Sequence, residues 1–140
     1  MPDLTPQNVI QELEHRTGSL SQALSIEDFA EPDKLADRLA RSYKDRLKAT
    51  QLRRFFHAIK SIERGMRGYK DEQSLPIEIR SKLLPLMPEL AYARGRNLIP
   101  EDFYGLMKAC LASKKLQTVG DFRRLTLFLT AVLAYHKLYA

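Results

Sequence analysis

The run Leu125-Thr126-Leu127-Phe128-Leu129-Thr130-Ala131-Val132-Leu133 constrains the fold more than any other stretch of this chain. It is apolar nearly all round, which describes a central helix surrounded by other helices. From Leu125 to Tyr135 it reaches only about half of the ~20 residues that a membrane span needs, so it reads as core. No run elsewhere shows sustained period-2 alternation, and apolar positions recur with the 3.6 period almost throughout. The expectation is an all-α bundle of about five to six helices.

Local signals place the elements. A first helix opens at Thr5–Pro6 and runs to about His15, before Thr17-Gly18-Ser19. Ser25 with Asp28 forms a capping box for a short turn through Phe29. A second helix opens at Pro32–Asp33 and buries Leu35, Leu39, Tyr43 and Leu47. Thr50 caps a third, with Leu52, Phe55, Phe56, Ile59, Ile62 and Met66 inward and Gly65 and Gly68 at its end. Tyr69–Pro76 reads as an exposed loop. Pro85 and Pro88 break residues 77–97 into two helical pieces, the second ending at Gly95. Pro100 starts another helix, with Phe103, Leu106, Met107, Cys110 and Leu111 inward. Thr118 caps the last, which reaches about Tyr139.

The 140 residues suit one helical domain. Cys110 is the only cysteine, so an intrachain disulfide is excluded and a reducing compartment is expected. The opening MPDLTPQNVI has no basic and apolar signal regions, which points to a soluble, cytoplasmic protein. Catalytic patterns are missing: His15, His57 and His136 are far apart in sequence, and no Gly-rich phosphate loop occurs. Cys110 reads as a packed thiol, and Glu101–Asp102 as favourable charges in a helix first turn. No enzyme activity, metal or cofactor is expected.

Charge is partitioned instead. Residues 1–33 carry a net −6 and residues 34–140 a net +12, of which 34–70 alone contribute +9. The chain therefore divides into an acidic N-terminal extension, 1–33, and a basic helical core, 34–140. The extension reads as solvated, able to dock on a basic surface or to screen it. On the third helix Arg53, His57, Lys60, Arg64 and Arg67 follow one ridge at i, i+4, i+7, i+11 and i+14. The preceding helix offers Lys34, Arg38, Arg41, Lys44 and Lys48, so two adjacent helices are expected to form a basic groove. A stripe with few acidic partners suits a nucleic-acid backbone, bound by counterion release. The apolar faces are needed for the core, which leaves none for a membrane surface. A small enzyme with an unrecognised site is one alternative, and a stand-alone helical DNA-binding regulator the other. The regulator needs a helix–turn–helix, and only the Thr50 helix could read bases.

Three strings in order resemble a known family: Gln51-Leu52-Arg53-Arg54-Phe55-Phe56, Leu90-Ala91-Tyr92-Ala93-Arg94-Gly95-Arg96, and Phe122 through Ala134-Tyr135-His136-Lys137. Together, over about residues 47–138, they are similar to the small subunit of the type III-A CRISPR effector (Csm) complex. The resemblance implies a helical, non-catalytic protein that stacks in several copies inside a ribonucleoprotein filament. Its expected partners are CRISPR RNA, the target RNA paired with it, further copies of itself, and the backbone and large subunits. Carried over by position, Arg53, Arg54, Arg94 and Arg96 are expected to contact RNA, followed by Lys60, Arg64 and Lys137. Lys48 and Arg67 join them from the basic stripe. Arg94 and Arg96 could equally satisfy a helix end. Tyr92 and Tyr135 read as core residues, and His136 as packed or capping.

Overall fold

The computed structural model describes residues 11, 13 and 15–139, and among these every regular element is helical apart from one antiparallel bridge, Ser74 to Thr118. Two short helices come first, α1 (Leu20–Ala23) and α2 (Ile26–Ala30). Then follow α3 (Leu35–Tyr43), a 3₁₀ turn (Lys44–Arg46), α4 (Ala49–Arg64), α5 (Ile77–Leu83), α6 (Leu86–Gly95), α7 (Glu101–Leu111) and α8 (Val119–Tyr139). The expected Thr5–His15 helix lies outside the described residues except for Gln11, Leu13 and His15, which are helical.

Helix α8 organises the bundle, packing against α1, α2, α3 and α4. Its start is fixed locally: Thr118 Oγ1 accepts from the Asp121 N–H at 3.1 Å, while Asp121 Oδ2 accepts from the Gln117 and Thr118 N–H groups at 2.9 Å. Phe122, Leu125, Phe128, Leu129 and Val132 are buried along it. The helix is not enclosed on every side, however. Leu127 is 50% exposed and Leu138 71%, and Thr130 and Ala134 on the same face are also open. The reason is that α5, α6 and α7 pack mainly on one another and on α4, which leaves that side of α8 uncovered.

A second layer of core joins α7 to α3 and α4. Phe103 meets Tyr43 and Phe55 edge-on, with ring centroids 5.8 and 6.1 Å apart. Each such pair adds about 0.5–1.5 kcal/mol to ordinary burial.

The acidic segment is built into this core. Leu13, Leu20, Ala23, Leu24 and Phe29 are all buried. Buried Lys115 donates to the Arg16 and Gly18 carbonyls at 2.6 and 2.9 Å, and Asp121 Oδ1 accepts from the Ser21 N–H at 2.9 Å. The Ser25–Asp28 box forms as expected, at 2.9 and 3.2 Å. Charge and packing thus divide the chain at different places, because acidic residues here alternate with side chains that α8 needs as neighbours. Removing residues 1–31 would take out part of the core, so truncation cannot isolate a screening role.

Other boundaries shift for tertiary reasons. Helix α3 starts two residues after Asp33, which has φ 62°, and ends at Tyr43. Leu47 is buried as expected, but beyond the 3₁₀ turn. Helix α4 starts at Ala49 with Lys48 as N-cap, so Thr50 is not its cap. The Lys48 N–H is already engaged, donating to the Leu98 carbonyl at 3.2 Å. Pro88 is tolerated in the first turn of α6, where its missing N–H would be unpaired anyway. The 69–76 loop is largely exposed but tethered: Arg123 donates to Asp71, to Tyr69 O at 2.8 Å and to Met66 O at 3.2 Å.

Candidate nucleic-acid interface

The two basic helices differ in what holds their charges. On α3, Arg41 pairs with Asp33 at 2.9 Å and approaches Asp37 at 3.8 Å. Arg38 Nε donates to the Asp33 carbonyl at 2.7 Å. Buried Asp37 accepts from the Asp33 N–H at 2.8 Å and from the Tyr139 hydroxyl. Burial alone would push the Asp37 carboxyl up, but these hydrogen bonds and the Arg41 charge outweigh it and hold it below the usual range. Arg46 in the 3₁₀ turn lies 3.7 Å from Asp102. The cations Arg38, Arg41 and Arg46 are therefore part of the internal bonding of the fold.

Helix α4 is otherwise. Lys48, Arg53, Arg54, His57 and Arg64 are exposed along it, and Arg67 in the turn beyond it. Among the described residues, none of these basic side chains has an acidic partner within 4 Å. Arg67 is not on the helical ridge, since α4 ends at Arg64 with Gly65 as its cap. Lys60 is half-buried and held by Glu63 at 3.4 Å. Helices α3 and α4 each pack mainly on α8 rather than on one another. The two helices thus lack the close mutual packing of a helix–turn–helix, in which the second helix rests on the first.

A cleft lies between α4 and α6. About 540 Å³ in volume, it is lined by Gln51, Arg54, Pro88, Glu89, Tyr92, Ala93, Arg96 and Leu98. The first two resembling strings, far apart in sequence, thus share one surface. The Lys48–Leu98 hydrogen bond and a second from the Leu98 N–H to Ala93 O (2.9 Å) fix the two walls to each other. Tyr92 is 68% exposed and not core. Helix α6 buries Leu86, Leu90 and Ala93 at i, i+4 and i+7, which turns position 92 outward. The Arg96 guanidinium lies over the Tyr92 ring, 5.8 Å from its centroid. Sequence reading did not place Gln51, Glu89 or Tyr92 at this cleft. The signal was the spacing Glu89, Tyr92, Arg96 at i, i+3 and i+7, one face of a helix.

The remaining expected residues fall elsewhere. Arg94 pairs with Glu101 at 2.8 Å and stacks over Tyr104 at 5.6 Å, outside the cleft. Lys137 is exposed on the last turn of α8. Its neighbours in the closing string are structural: the Tyr135 hydroxyl donates to the Ala30 carbonyl and His136 Nε2–H to the Lys44 carbonyl, both at 2.8 Å. Cys110 is fully buried, and burial pushes its thiol up to about 12, far from thiolate chemistry. No described helix is long and apolar enough to cross a membrane.

Comparison with curated proteins and with solved structures finds no match. The model of the family Csm2 Type III-A matches residues 27–140, which takes in α3 to α8 and with them both walls of the cleft and the whole exposed face of α4. By that match the chain belongs to the Csm2 type III-A family, the small subunits of type III-A CRISPR complexes.

Proposed function

We propose that this small subunit is non-catalytic and works in the cytoplasm by contacting CRISPR RNA and its paired target RNA. Further copies of the chain stack along the filament beside the backbone and large subunits. The observation that carries the reading is the exposed surface of α4 and its two ends, where Lys48, Arg53, Arg54, Arg64 and, in the turn beyond, Arg67 stand without acidic partners among the described residues. From Arg53 to Arg64 the helix rises about 16 Å, enough to meet several successive phosphates. Cations in this setting bind by releasing counterions and leave sequence choice to base pairing. Arg96 adds a cation at the cleft beside Arg54. Arg94 and Lys60, already held by Glu101 and Glu63, contribute less, and Lys137 offers a separate contact at the end of α8.

The test is co-purification of the tagged full chain from its native host, with protein and RNA identified together. Discrete CRISPR-derived RNA recovered with backbone and large subunits supports the reading. Recovery of the chain alone, or with DNA, overturns it.

A further inference from the structure

We infer that the α4/α6 cleft holds one unpaired RNA nucleotide, its base stacked on Tyr92 and its edge read by Glu89, with guanine favoured. The inference rests on the RNA-contacting reading above and goes beyond it, from backbone charge to a base-specific subsite. The volume of about 540 Å³ suits a single nucleotide. Tyr92 is the most exposed aromatic side chain among the described residues. Arg96 lies against its ring, and the ring's exposure leaves surface on which a base can stack. Stacking on aromatic and guanidinium planes is how single-stranded RNA is held, since its bases are free of a duplex stack.

The polar lining separates into two jobs. Arg54 and Arg96 supply cationic donors for a phosphate, whereas Glu89 supplies only acceptors when ionised. Glu89 lies in the same cleft as both arginines yet forms no ion pair within 4 Å with either. A carboxylate there repels phosphate, so the group it suits is a base edge rich in donors. Guanine alone presents two adjacent donors, N1–H and the 2-amino group, to match two carboxylate oxygens. Adenine and cytosine present an amino group beside a ring acceptor, and uracil one N–H between two carbonyls. Gln51, on the facing wall, can donate or accept and so tolerates any base.

The experiment measures binding of the full chain to a labelled uridine oligomer of roughly a dozen nucleotides, a span that single-strand sites commonly cover. The same oligomer with one central guanosine, and with inosine in its place, completes the set. Wild type should bind the guanosine oligomer at least about fivefold more tightly than the uridine one, with inosine between them because it lacks the 2-amino group. Glu89→Gln should bring the guanosine-to-uridine ratio close to one. Tyr92→Ala should weaken guanosine-oligomer binding by at least about fivefold, and Tyr92→Phe, which keeps the ring, should restore it. Tyr92 is exposed, so a thermal melt should confirm that both variants fold. Equal binding of all three oligomers by wild type, or no effect of Tyr92→Ala, overturns the subsite. In that case, loss of binding in Arg53→Glu/Arg64→Glu/Arg67→Glu shows that the wider RNA reading survives. A wild-type chain that binds none of the oligomers removes both.

Discussion

Helices α3 and α4 have nearly the same sequence character, short apolar stripes with basic residues between, yet their charges have different fates. On α3 the guanidinium groups of Arg38 and Arg41 close onto Asp33, Asp37 and Tyr139. On α4 those of Arg53, Arg54 and Arg64 meet no acid among the described residues. A count of basic residues therefore does not define a binding surface; the distribution of nearby carboxylates does. Asp33, at the end of the acidic segment, is one of the partners that engage the arginines of α3.

The largest effect is expected from Asp37→Ala, which strands the Asp33 N–H and the Tyr139 hydroxyl and removes the more distant of the two carboxylates facing Arg41. Leaving such groups unpaired costs about 1–3 kcal/mol, and Tm should fall by roughly 3–10 °C in a thermal melt. RNA affinity of the folded fraction should stay near wild type.

Acid should act on the same site. The Asp37 and Asp121 carboxyls sit below their unfolded values, near 3.9, so their contribution is present above that pH and is lost as pH falls through the folded values. Chemical denaturation between about pH 5 and pH 2 should show stability declining with acid, and Asp37→Asn should flatten part of the decline.

Smaller effects separate free from held cations on one helix. Arg64→Gln should reduce the slope of log affinity against log salt by about one, whereas Lys60→Gln, whose charge already faces Glu63, should change it less. Smallest of all, Arg41→Gln should leave RNA affinity within about twofold of wild type. A larger loss there would show that α3 also faces RNA.

What was legible in the sequence was what short-range chemistry decides. The Thr118 cap, the Ser25–Asp28 box, the Pro85 break and the inward stripe of α7 all depend on neighbours within a turn. The misjudged features depend on contacts distant in sequence. Helix α4 begins at Ala49, and the Lys48 N–H just before it is taken up by Leu98, fifty residues on. Asp37 is saturated by Tyr139 from the far end of the chain, and the open face of α8 reflects where α5–α7 pack. The candidate site was half visible. Arg54 and Arg96 stood out by type and motif, but nothing local showed that they share a cleft. Tyr92 lay within an apolar string, and its exposure emerges only once Leu86, Leu90 and Ala93 are known to face inward.

The most direct measurement sets two charge-reversed chains side by side, Arg53→Glu/Arg64→Glu/Arg67→Glu and Arg38→Glu/Arg41→Glu. Each is assayed for Tm and for affinity to single-stranded RNA at low salt. The α4 set should lose affinity by more than about tenfold with Tm nearly unchanged, and the α3 set should lose Tm with affinity per folded molecule close to wild type. Unchanged affinity in the α4 set, or an equal loss in both sets, would contradict the division of labour between the two helices.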